Sequence, residues 1–229
     1  MSKIHPDYEN PLKEIIYSDH KLGDNIPSNL TVWKKSSMSF QGTDGFTVFN
    51  QQGELVFRVD NYSRKNRCLI GGVVLMDGIG RALMTLRPRL LSMQYQWNGY
   101  EGGEDKCRKA PKTPIFSMRR RSICRKSNEE AEIFIGTADS STNHVTSILP
   151  DLRIEGSFRR RKCSIFTHDG KKVAEILRKK VNNTTVVLSD DVFSLVVEPG
   201  FNCDIVMAFV VIMDRICQKP YMPVLCSSS

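Results

Sequence analysis

Residues 203–219 read CDIVMAFVVIMDRICQK, and their middle, 205–213, is nine apolar side chains in a row. At roughly 100° per residue, such a run covers every side of a helix, so a helix here has no polar face for water and must be enclosed. Five of the nine (Ile205, Val206, Val210, Val211, Ile212) are β-branched, which makes a fully buried strand the competing reading. The ends favour a helix: Asn202 can cap it, Asp204 lies in the first turn, Arg215 and Lys219 in the last, and Pro220 stops it. A membrane span needs about 20 apolar residues. This run is shorter and is flanked by Asp204 and Asp214, so it reads as a buried core helix.

Upstream, nearly everything reads as strands and turns. Residues 46–59 (FTVFNQQGELVFRV), 73–86 (VVLMDGIGRALMTL) and 163–176 (CSIFTHDGKKVAEI) each place a glycine eighth: Gly53, Gly80 and Gly170. Each predicts a β-hairpin whose glycine supplies positive φ in the connection. The shared register predicts an internally repeated β architecture, against the plainer reading that any hairpin-rich chain yields such matches. Further strands are expected at 31–33 leading into 36–40, and at 67–70, 90–97, 114–119, 131–136, 184–188 and 192–197. Residues 98–113 and 137–151 read as long loops. About a dozen strands and one enclosed helix predict a closed β-barrel with a helical plug, because closure removes open edges. The division expected is an N-terminal extension at 1–27, a barrel over 28–219 holding a helix at about 203–218, and a tail at 220–229.

Four stretches carry a resemblance: FTVFNQQGELVFRVDNY (46–62), VLMDGIGRALMTL (74–86), IEGSFRRRKCSIFTHDGKKVAEI (154–176) and DVFSLVVEPGFNCDIVMAFVVIMDRI (191–216). In this order they resemble the plant LURP-one-related family, which is itself similar to the tubby C-terminal domain and the phospholipid scramblases. The likeness runs from about residue 30 to 218. It implies a mainly β fold, a closed antiparallel barrel of twelve strands around a central hydrophobic C-terminal helix. It also implies a place in plant defence or stress signalling. Tubby domains, more distantly similar, bind phosphoinositides through surface lysine and arginine, which makes that ligand class an expectation here.

The charge points the same way. Lys and Arg number 33 against 25 Asp and Glu, a net charge of +8. Such a balance predicts an anionic partner, nucleic acid or an acidic membrane surface, with a merely lysine-rich soluble protein as the plainer reading. Two clusters stand out. Arg119, Arg120 and Arg121 are followed by Arg125 and Lys126. Arg159, Arg160, Arg161 and Lys162 are backed by Lys171, Lys172, Arg178, Lys179 and Lys180. Before the second cluster the apolar Ile154 and Phe158 fall on even positions, and after it Cys163 and Ile165 fall on odd ones. A strand changes parity only through a bulge or turn, so the cluster is expected where the backbone kinks outward and splays its guanidinium groups into solvent. Arginine forks suit phosphate, so Arg119, Arg120, Arg121, Arg159, Arg160, Arg161 and Lys162 are the candidate residues for an anionic phospholipid or phosphoinositide headgroup.

The competing readings are a solvated basic face, a nucleic-acid-associated regulator and a protein-interaction scaffold without a lipid ligand. Single-strand readers add aromatics between their charges, whereas Phe116, Phe158 and Phe166 fall mostly at core-parity positions, and no recognition helix is evident. Lipid transport like that of a scramblase would need a membrane-inserting helix, for which residues 205–213 are too short. Ser122 follows three arginines like a basophilic kinase site, where a phosphate would lower the local charge.

Little in the chain asks for catalysis. His5, His20, His144 and His168 are dispersed, and H-E-x-x-H, G-x-S-x-G, phosphate-loop and dinucleotide signatures are missing from the sequence. A non-enzymatic binding module is expected, with no cofactor, no metal and a monomeric state. Seven scattered cysteines without C-x-x-C fit neither a disulfide framework nor a zinc site. With no apolar leader at the N-terminus, they predict a reducing intracellular compartment, cytoplasm or nucleus, with peripheral attachment to a membrane allowed.

Overall fold

The computed structural model describes residues 16–17, 26–35, 45–60, 72–89, 92–102, 113–121, 129–136, 149–180 and 188–218. Among the described residues, twelve strands and one helix are named: β1 (Ser28–Lys35), β2 (Gly45–Phe49), β3 (Leu55–Asp60), β4 (Val73–Asp77), β5 (Ala82–Pro88), β6 (Trp97–Glu101), β7 (Phe116–Arg120), β8 (Ala131–Ile135), β9 (Leu152–Ser157), β10 (Lys162–Thr167), β11 (Lys172–Arg178), β12 (Val192–Val197) and α1 (Cys203–Gln218). Each strand pairs antiparallel with its neighbours in sequence, and β1 closes the ring against β12. The enclosed-helix reading holds. Residues 205–214 of α1 are all buried inside the barrel, and the competing strand is replaced by a helix capped at Asn202, whose Oδ1 accepts from the Asp204 amide at 2.8 Å. None of the described helices is long and apolar enough to cross a membrane.

The three repeated units are hairpins β2–β3, β4–β5 and β10–β11, and they share more than a glycine. Gly53, Gly80 and Gly170 have φ of 82°, 90° and 88°, in open space, so backbone conformation and not crowding selects them. In each copy the glycine amide donates to the carbonyl three residues earlier: Asn50, Asp77 and Thr167, at 3.1, 3.1 and 3.0 Å. The side-chain oxygens of these same residues accept amides of the turn: Glu54 on Asn50, Arg81 on Asp77 and Lys171 on Thr167. The pairing register also slips at the same place in each, past Val48, Leu75 and Ile165, leaving Val56, Leu83 and Val173 as bulge residues.

The sixth strand departs from expectation. It is Trp97–Glu101, which overlaps the expected 90–97 only at Trp97 and otherwise lies in the stretch read as loop, 98–113, while residues 92–95 form a turn. Its alternation is hidden because the second inward position is a glycine. A Cβ on Gly99 would lie 2.1 Å from the Phe116 ring, which meets Phe209 of α1 edge-on at 4.9 Å. The barrel wall thins there to admit an aromatic pair. The expected strands at 36–40 and 67–70, residues 184–187 of the strand at 184–188, and most of the two long loops lie outside the described residues.

Both ends of α1 are tied to the barrel. At its start the Asn202 amide donates to the Ile16 carbonyl at 2.7 Å and Tyr17 stacks on Phe201 at 5.0 Å, so part of the N-terminal extension seals that end. Near its finish Asp214, 3% exposed, accepts a 3.0 Å salt bridge from Lys34 of β1, an inward-facing position next to the β1–β12 seam.

Candidate functional site

The parity change at 158–163 is a tight turn joining β9 to β10. Phe158 stays in the core, edge-on to Phe193 at 6.1 Å, and its carbonyl accepts the Arg161 amide at 3.0 Å. That closure puts Arg161 at φ 51°, a conformation non-glycine residues seldom adopt.

Arg161 does not splay into solvent as the sequence suggested. Only 6% exposed, its guanidinium folds back over the rings of Phe158 and Phe193, 4.6 and 4.2 Å from their centroids. Its Nε donates to the Asp190 carbonyl at 2.9 Å. Burial pushes its pKa down, opposed by the carboxylates of Asp214, Asp190 and Asp191. The charge is buried because two rings and a carbonyl provide a flat slot for a planar cation.

Arg159 is also engaged. Its backbone amide donates to Glu129 at 2.6 Å, its Nε lies 3.2 Å from the same carboxylate, and its Nη2 donates to the Cys217 carbonyl at the end of α1. A cation there satisfies a terminal carbonyl and meets the negative end of the helix dipole. Two arginines of the first cluster are likewise paired. Arg119 grips Glu132 of β8 at 3.0 and 3.1 Å and lies over the Phe134 ring, and Arg121 reaches Glu130 at 3.2 Å. Arg120 opposes Ala131, an inward position, and its Nε is buried with no hydrogen-bond partner among the described residues.

The remaining two of the seven candidates, Arg160 and Lys162, face a groove of about 810 Å³ on the outer wall. It is lined by Arg160, Arg161, Lys162, Leu177, Arg178, Lys179, Lys180 and Ser194. Strand register builds its floor: Lys162 of β10 lies opposite Leu177 of β11, which lies opposite Ser194 of β12. The β9–β10 turn and the end of β11 make the sides, fastened by Arg178 Nε donating to the Arg160 carbonyl at 3.2 Å. Arg178 is partly neutralised by Asp190 at 3.2 Å. Six of the eight lining residues are cationic, a concentration that suits a phosphate-bearing anion. Arg119, Arg120 and Arg121 are not among them, so the two clusters do not share this groove. The sequence reading left Arg178, Lys179 and Lys180 as a mere backing; the hairpin pairing of Cys163 with Ile176 was the signal that sets them beside Arg160 and Lys162.

No group of three or more His, Cys, Asp or Glu poised for a metal occurs among the described residues. Cys163 and Cys217 are buried, and burial pushes both thiols up to about 12, far from the thiolate a nucleophile needs.

Comparison with known proteins agrees with this architecture. The LURP-one-related family profile matches residues 28–214. The Arabidopsis thaliana protein LURP-one-related 5 is 41% identical over 189 residues, covering 82% of each chain. LURP-one-related 8 of the same plant is 34% identical over 94% of this chain and 97% of its own. A crystal structure of an Arabidopsis thaliana protein superposes with a TM-score of 0.55 at 22% identity, covering 84% of this chain and 93% of that one, a likeness of fold.

Proposed function

The chain belongs to the LURP-one-related family, and from that footing we propose that it is a non-enzymatic binding module whose basic groove takes a phosphate-bearing anion, with a phosphoinositide headgroup as the leading ligand. The observation that carries the reading is the cationic lining of the groove, six residues of eight. Lys162, Lys179 and Lys180 are exposed or half-buried, and Arg160 is exposed, so their charges are available to an incoming anion. Arg161 supports the turn from beneath. A place in defence or stress signalling is proposed on the family resemblance alone.

The test uses two probes that separate the sources of phosphate: inositol hexakisphosphate in solution, and phosphatidylcholine vesicles doped with phosphatidylinositol bisphosphate. The informative variant is Arg160→Glu/Lys162→Glu/Lys179→Glu, which reverses the groove while sparing Arg159 and Arg161, whose loss would damage the fold. Binding of the parent that the variant abolishes supports the groove. Equal binding by parent and variant, or none by the parent at moderate salt, refutes it. Duplex or single-stranded nucleic acid bound in preference to both probes would move the reading to a nucleic-acid-associated regulator.

A further inference from the structure

The outer wall beside the groove carries an unexplained tryptophan. On β1 the inward positions are Leu30, Val32 and Lys34, so Trp33 points outward, and it is 52% exposed. The other tryptophan, Trp97, is 5% exposed in the core. Trp33 lies opposite Val192 of β12, and Val192 is two residues from Ser194 on the groove floor. Diagonal neighbours of this kind are about 7–8 Å apart. Leu177, opposite Ser194 and 37% exposed, continues the same apolar strip from within the basic lining. Leu188, exposed as well, hangs on the Lys179 carbonyl through its amide at 2.9 Å.

We propose that this wall is a membrane-docking face: the groove holds the headgroup of an anionic lipid while Trp33 enters the interfacial layer of the same bilayer. The proposal rests on the anion-binding reading of the groove and adds that the anion is met at a bilayer surface. An indole is apolar in body with one N–H to hydrogen-bond, which is why tryptophan settles at the level of lipid headgroups. Basic residues alone hold a protein only loosely at an anionic surface, and an adjacent apolar anchor supplies the second attachment that stable peripheral binding requires. A free phosphate compound would fill the groove and leave Trp33 in water. Single-stranded nucleic acid calls for a succession of stacking faces. Among the described residues the other strongly exposed aromatic, Tyr17, is stacked on Phe201 at the opposite end of α1.

The single exposed tryptophan is its own reporter. With phosphatidylcholine vesicles doped with phosphatidylinositol bisphosphate, the emission of the parent should move to shorter wavelength and be quenched by brominated acyl chains. Trp97, already buried, contributes a constant background, and a Trp97→Phe variant removes it. Trp33→Ala should weaken vesicle binding by about tenfold, the order expected on withdrawing one half-exposed indole from an interface. Inositol hexakisphosphate, measured with the parent, tests the groove by itself. Parent protein that binds the soluble probe and the vesicles while its emission stays unmoved would overturn the docking face and leave the groove standing. Failure to bind either probe would remove the groove and the docking face together.

Discussion

Arg161 holds a left-handed backbone that glycine would hold more cheaply, and it does so because its guanidinium is fixed between two rings and the Asp190 carbonyl. If backbone strain dominated, Arg161→Gly would stabilise the protein. The contacts predict the opposite, a loss of about 1–3 kcal/mol measurable by urea denaturation, because both ring contacts and the hydrogen bond to the Asp190 carbonyl go with the guanidinium. Parity told that the chain turns here, but not which of three consecutive arginines folds inward; that depends on Phe193, brought in from β12. Burial also sets a pH dependence. The thiols of Cys163 and Cys217, pushed up to about 12, stay protonated in the folded protein while those of the unfolded chain ionise near 8.5. Their contribution is therefore complete below roughly pH 8.5 and is lost as pH rises toward 12. A Cys163→Ala/Cys217→Ala variant should show a shallower fall of Tm over that range than the parent.

Hairpins and helix were the most legible elements, since each is written locally. A glycine eighth in the unit with Asn, Asp or Thr fifth encodes the turn, and nine apolar residues encode a helix that has to be enclosed. The sixth strand was illegible because Gly99 makes sense only against Phe116, a contact made across β6 and β7. The two kinds of glycine should respond differently to alanine. At Gly80 the cost is conformational, about 1–2 kcal/mol. At Gly99 the cost is steric, with Cβ driven into an aromatic ring that has α1 behind it, and the loss should be larger, on the order of 3 kcal/mol. Thermal denaturation of the pair decides whether the barrel wall is as tight there as the geometry indicates. Val210→Asp places an uncompensated carboxylate inside the barrel and should lower Tm by more than ten degrees or prevent folding, a shift in keeping with about 3–5 kcal/mol; a Tm within a degree or two of the parent would refute the plug.

Across the whole molecule, charge counted along the chain is not charge on offer: among the described residues, several arginines of the two basic clusters are committed to partners. Glu132 of β8 holds Arg119, Glu130 just before that strand holds Arg121, Glu129 holds Arg159, and a slot in the wall holds Arg161. Counting residues along the chain therefore identified basic segments without showing which charges are neutralised, because the partners Glu129, Glu130 and Glu132 are met only through folding. Arg160, Lys162, Lys179 and Lys180 gather on one wall, so vesicle binding should weaken steeply as salt rises from low to moderate ionic strength, and the groove-reversed variant should lose that dependence. The ring has a further consequence, for the order in which the chain is made. β1 leaves the ribosome before the other eleven strands, yet its second edge is covered only by β12, and the filling of the barrel follows all twelve strands. A nascent chain cannot close its seam or fill its centre until β12 and α1 have been made. Folding is thereby postponed to one late step dominated by long-range contacts, and a chain stopped short of α1 is left with an open-edged, hollow sheet as a substrate for chaperones and proteases.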